Sequence, residues 1–206
     1  MKSILKTILV IFCSLFLMQA SAVAQDKPSD NADKTAKTSK PDKTNSDKES
    51  KIKFPEVEGW KKSEVKNPMA ELGDIVHYDS DEGRVTVYFY NGVLKNISDD
   101  IKSGTLKSEM ENAKNGIRQL GEMGLYQNVK EVKSDTVTLG GASGKVKALH
   151  SLFSFSAKGQ ELVSEIYLFG YKNNFVKIRA SRPKDAGTEN KAFAGLLAEL
   201  DTHFSK

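Results

Sequence analysis

The sequence predicts an α+β domain: one mainly antiparallel sheet with two packed α-helices. Gly144–Arg182 reads as three consecutive strands, Lys145–Ser156, Glu161–Gly170 and Asn174–Ser181. The breaks between them hold Gly159 and Asn173 and are too short for a crossover, so the three form an antiparallel meander. Two segments carry apolar residues at helical spacing. One holds Leu106, Met110, Ala113, Ile117 and Leu120; the other holds Phe193, Leu196, Leu197, Leu200 and Phe204.

Three regions divide the chain. Residues 1–24 read as a signal peptide: Lys2 and Lys6 open it, an apolar run spans Ile8–Met18, and Ala22 and Ala24 occupy the small-residue positions of a cleavage site after Ala24. The run falls short of the roughly 20 apolar residues that span a bilayer, so no stable membrane insertion is expected after cleavage. Phe12 stands before Cys13 where a lipoprotein signal needs a small residue. Cys13 is the only cysteine and leaves with the signal, so the mature chain has neither a disulfide nor a thiolate nucleophile. Residues 25–51 form a Lys/Asp/Ser/Thr-rich linker with almost no apolar residue, which cannot offset its own ordering entropy and is expected to be disordered. Fully extended it reaches about 90 Å; as a coil it averages about 30 Å. Residues 52–206 form the globular domain, long enough for one core.

Charge argues against nucleic acid. The whole chain carries +4. Lys2 and Lys6 supply two of these and the linker one, which leaves the domain near neutrality. Such a domain lacks the basic footprint that phosphate binding needs.

Within the domain, Phe54–Trp60 is an extended lead-in, and Trp60, the only tryptophan, is expected to seal one end of the core. Trp60–Val65 is a first strand, broken by Lys66-Asn67-Pro68. Gly73–Ser80 and Arg84–Tyr90 pair as a hairpin across Asp81-Glu82-Gly83. In its second strand Val85, Val87 and Phe89 share one face, and Thr86, Tyr88 and Tyr90 the other. Asn91–Ser103 is a loop. Thr105–Gly121 is a helix, with Lys107, Glu111, Lys114 and Arg118 off its apolar face. Tyr126–Leu139 returns to strand, with a break expected near Ser134-Asp135. Gly140–Gly144 joins strand to strand and has no helix behind it, so it reads as a hairpin turn rather than a phosphate loop. After the meander, Pro183–Gly187 is a loop, and Thr188 caps the last helix with Glu189 in its first turn.

The order hairpin, helix, strand–Gly–strand (Thr138-Leu139-Gly140-Gly141 to Val146-Lys147-Ala148), meander Leu152–Ser181 and closing helix resembles the PsbP-like fold over roughly residues 54–204. That superfamily includes an extrinsic photosystem protein, a nuclear-transport factor that binds a small GTPase, and bacterial envelope proteins of unknown role. The resemblance implies a non-catalytic accessory protein. It carries over no functional residue.

The chain holds no obvious catalytic constellation. His77, His150 and His203 lack a nearby second histidine or cysteine, although His77 lies between Asp74 and Asp79, and His77 and His150 could approach each other within the sheet. His203 ends the last helix, where a cation suits the dipole. Gly141-Ala142-Ser143-Gly144 is not a nucleophile elbow. Glu58, Glu71, Asp74, Glu165 and Asp185 are scattered, so no carboxylate pair can be assigned. No cofactor or metal is called for. Strand parity instead offers a surface. Tyr167 shares a strand face with Glu165 and Phe169, and Lys177 and Arg179 share one with Phe175. With Tyr88 and Tyr90 from the hairpin, Tyr167, Lys177 and Arg179 would make an aromatic and cationic patch if the uncovered sheet face gathers them. The expected protein is therefore a periplasmic or secreted non-catalytic binding protein, with an unidentified envelope or extracellular protein as partner. A small-ligand pocket between sheet and helices is the alternative, and an envelope hydrolase or metalloenzyme a third. A shallow apolar patch would favour the first reading, and a deep pocket with converging polar groups the others.

Overall fold

Among the described residues, seven strands form one antiparallel sheet, with the first, second, third, seventh, sixth, fifth and fourth strands of the chain side by side in that order. They are β1 (Lys61–Val65), β2 (Asp74–Ser80), β3 (Gly83–Tyr90), β4 (Gln127–Thr138), β5 (Lys147–Ala157), β6 (Gln160–Tyr171) and β7 (Asn174–Pro183). Helix α1 (Gly104–Glu122) joins β3 to β4, and α2 (Lys191–Phe204) closes the domain. The computed structural model describes residues 52–65, 73–92, 94–186 and 190–206. The signal peptide, the linker, Thr188 and Glu189 lie outside these residues.

The two helices pack on opposite faces of the sheet, so neither face is wholly uncovered as the sequence reading required. On the first face, Leu106, Met110, Ala113, Ile117 and Leu120 of α1 meet Phe153, Phe155, Ile166, Leu168 and Phe175. On the second, Phe193, Leu196, Leu200 and Phe204 of α2 meet Trp60, Val76, Tyr78, Val85, Val87, Phe169, Val176 and Ile178. Trp60 does close the core's end: its ring lies edge-on to Phe193 at 5.5 Å, and its indole nitrogen donates to the Ala192 carbonyl. Helix α1 touches β4, β5 and β6. Toward β3 and β7 the same face keeps Thr86 and Phe175 buried and Tyr88, Tyr90 and Lys177 half-buried.

Local chemistry explains the boundaries. Ser103 caps α1 through its Oγ, which accepts from the Leu106 N–H at 3.2 Å. Asn190 caps α2, accepting from the Ala192 and Phe193 N–H groups at 3.0 and 3.2 Å. The β4–β5 turn, with a short 3-10 turn at Gly141–Ser143, is pinned to α2 by buried Asp201, which accepts from the Lys145 and Val146 N–H groups. Gly140 sits at φ 75°, and a Cβ there would lie 3.1 Å from the Ala198 backbone, so glycine suits that close approach.

Three expectations need correction. No break occurs at Ser134-Asp135: both residues pair with β5, opposite Ser151 and His150, and their polar groups serve as cross-strand partners. The irregularities of β4 lie earlier, between Gln127 and Lys130 and between Glu131 and Lys133. Lys114, expected off the apolar face, is buried, because Glu111, Glu131 and Ser134 surround its ammonium. Leu197, expected on the buried face of α2, is only half-buried and lines a groove.

Candidate functional site

Sheet register decides which side chains meet. On the first face, Thr86 lies opposite Arg179, Tyr88 opposite Lys177 and Tyr90 opposite Phe175. The Lys177 ammonium stands over the Tyr88 ring at 4.6 Å and the Tyr90 ring at 5.1 Å. All three side chains are half-buried. Tyr90 donates to Glu109 of α1. Arg179 donates from Nε to Ser164 and from Nη2 to Tyr126, both at 3.2 Å. Crowding protein atoms, above all, hold Lys177 below the ordinary lysine range; Glu109 opposes this and Arg179 adds to it.

Tyr167 is elsewhere. It is 8 % exposed and on the second face, opposite Ile178 rather than Lys177. The structure therefore gathers Tyr88, Tyr90, Lys177 and Arg179 but not Tyr167, and the five do not form one patch. His77 and His150 do not meet either. They lie on β2 and β5, separated by three strands and on opposite faces. His77 Nδ1 is 2.9 Å from the Thr86 hydroxyl. Burial lowers its pKa, and Arg84 lowers it further. His203 stacks on Phe54 at the end of α2, where burial likewise lowers its pKa.

Tyr167 belongs to a polar cluster that sequence reasoning missed. Asp135, His150, Tyr167 and Glu165 come from β4, β5 and β6, and Arg182 from β7. His150 is 7 % exposed. Its Nδ1 is 2.8 Å from Asp135 Oδ1. Its Nε2 is 3.3 Å from Glu165 Oε2, near enough for an ion pair but off the direction a hydrogen bond needs. Tyr167 donates its hydroxyl to Glu165 Oε2, and Arg182 donates to Glu165 Oε1 at 2.6 Å. Lys133 pairs with Asp135 at 2.7 Å. Burial alone would lower the His150 pKa, but Glu165 and Asp135 outweigh it and raise it. Burial pushes Glu165 up, yet His150, Tyr167 and Arg182 together bring it down to about 2. The detectable signal was a set of polar residues at inward parity in otherwise apolar strands.

Beside this cluster runs an open groove of about 530 Å³. Val137, Leu139, the turn Gly140–Ala142, Ala194 and Leu197 form its apolar wall, with His150 and Tyr167 at its base. His150 Nδ1 and the Tyr167 hydroxyl are turned to internal partners, while His150 Nε2 makes no hydrogen bond, so the groove offers mainly shape and apolar surface.

No family model and no curated protein matches the chain. In structure it is similar to the solution structure of cyanobacterial PsbP (CyanoP) from Synechocystis sp. PCC 6803, with a TM-score of 0.44 and 10 % identity over 68 % of this chain and 79 % of that one. The likeness is one of fold.

Proposed function

We propose that the chain is an exported, non-catalytic accessory protein that binds another envelope or extracellular protein through the Tyr88–Lys177–Tyr90 part of the first sheet face. The observation that carries this reading is the ammonium of half-buried Lys177, stacked on two tyrosine rings. Rings of this kind supply contact area with little rotamer entropy to lose, and such residues are enriched where interfaces concentrate their energy. Arg179 borders the patch as a support, with its fork on Ser164 and Tyr126. The titratable groups of the second-face cluster, His150 and Glu165, are committed to one another and to Asp135, Tyr167 and Arg182, which supports binding over catalysis. Capture from native envelope with the exported chain as bait tests the reading. Tyr88→Ala and Lys177→Met should each weaken capture of the partner by about 1–2 kcal/mol with circular dichroism unchanged. Full capture by both variants would overturn it.

The groove at His150 and Tyr167 favours a second reading, a small apolar ligand. Its volume lies within the range of ligand sites, roughly 300–1,000 Å³. Loss of ligand binding in Leu197→Trp, with the tyrosine variants unaffected, would select this alternative.

A further inference from the structure

Resting on the partner-face reading, we propose that Lys177 receives a carboxylate side chain of the partner, so that the surface this face fits is an acidic protein segment. The reason is charge compensation. Four other buried or half-buried cations meet a carboxylate of the domain: Lys62 meets Glu56, Arg84 meets Asp79, Lys114 meets Glu111 and Glu131, and Arg182 meets Glu165; Arg179 is bonded to Ser164 and Tyr126. Among the described residues, Lys177 forms no hydrogen bond or ion pair: its contacts are the Tyr88 and Tyr90 rings, and Glu109 acts on it only at longer range. Its ammonium carries three N–H donors that rings cannot saturate as an anion does. The neighbouring carboxylate is occupied: one Glu109 oxygen accepts from Tyr90 and the other from Asn112 at 3.1 Å.

The chemistry of the occupant follows from its surroundings. A phosphate dianion would meet one ammonium, the negative faces of two rings and Glu109, with the Arg179 fork directed to Ser164 and Tyr126. That is too little positive charge for two negative ones. A single carboxylate on a methylene stem matches better: its charge meets the ammonium, and its stem lies along the half-buried Tyr88 ring. The arriving anion also favours the charged form, which burial disfavours at Lys177.

The test uses protein carrying ¹³C-labelled lysine, with the Lys177 ¹³Cε resonance assigned by its loss in Lys177→Met. The probes are a capped tetrapeptide containing glutamate beside leucine, the same peptide with glutamine, and acetate. The glutamate peptide should shift the Lys177 resonance saturably and move its alkaline midpoint upward, while the glutamine peptide binds about tenfold more weakly or less. Equal responses to the two peptides, or no response, would overturn the proposal. A response to acetate equal to that of the glutamate peptide would overturn its partner-segment part. Lys177→Gln serves as a second variant should Lys177→Met fold poorly. Capture lost in Tyr88→Ala but retained in both lysine variants would leave the interface standing and remove the carboxylate from it.

Discussion

Each face of the sheet encloses a cation, and the two are treated in opposite ways. His150 on the second face lies between Asp135 and Glu165, and Glu165 in turn holds Tyr167 and Arg182. Lys177 on the first face has two tyrosine rings and, among the described residues, no carboxylate paired with it, Glu109 acting on it only at longer range. A buried charge is tolerable when its compensation is complete, and removing one member of a compensated set strands the rest. The His150 cluster is therefore internal structure, tying four strands together. Lys177 is left with bonding capacity to offer outward. Displacement from the ordinary pKa does not by itself distinguish them, since both groups show it; the sign and the partners do.

The largest effect should come from breaking the compensated side. Glu165→Ala removes the carboxylate that Arg182, Tyr167 and His150 share, and should cost about 3–5 kcal/mol in urea unfolding. A loss below about 1 kcal/mol would show that the cluster is solvated and that the contrast between faces is false.

The pH profile sharpens the same comparison. His150 faces Asp135, itself paired with Lys133, and Glu165, itself paired with Tyr167 and Arg182. Its folded pKa lies above 6.5, so its stabilisation is complete below about 6.5 and is lost as pH rises through the folded value. Glu165 has a folded pKa of about 2 against 4.5, so its stabilisation is complete above about 4.5 and is lost as pH falls toward 2. The cluster's contribution should be flat between these limits and decline on both sides. In His150→Gln the decline on the alkaline side should vanish and that on the acid side persist. An unchanged alkaline limb would place the loss in another group.

Much of this architecture was legible because periodicity reports local structure directly. All five α1 positions read from spacing are buried, and the meander follows turn chemistry at Gly159 and Asn173. Parity within a strand was read correctly as well: Tyr167 does share a face with Glu165, and Lys177 with Arg179. What parity cannot supply is the phase between strands. Tyr167 sits opposite Ile178; a shift of one residue in the β6–β7 ladder would have set it opposite Lys177 and united the patch. The His150 cluster stayed hidden for the same reason, because Asp135, His150 and Glu165 meet only through two ladder registers. Asp135 was instead read as a strand break.

Leu197 and Leu200 measure how open the groove beside that cluster is. Leu200 is fully buried, and Leu200→Ala should cost about 2–5 kcal/mol. Leu197 is half-buried on the groove wall, and Leu197→Ala should cost about 1 kcal/mol, since water already reaches part of its surface. Equal losses would mean that the groove is closed in solution.

The smallest change in stability belongs to Lys177→Met, and its smallness is the point. Methionine removes two cation–π contacts, each worth about 0.5–2 kcal/mol. It also removes a desolvated ammonium, and burying methionine's thioether against Tyr88 and Tyr90 compensates further. The net should fall within about 1 kcal/mol of the parent, of either sign. The accompanying pH dependence has a definite sign. The folded Lys177 pKa lies below 10.5, so between the folded value and 10.5 the unfolded chain binds more protons and stability rises with pH. Tyr88, Tyr90, Glu109 and Arg179 face the amine, and all four remain in the variant. Subtracting the variant's urea-unfolding profile from the parent's should therefore isolate a rise on the alkaline side, opposite in direction to the His150 limb. A fall there, or a loss of several kcal/mol in Lys177→Met at neutral pH, would mean that Lys177 is compensated within the domain and has no vacancy to offer a partner.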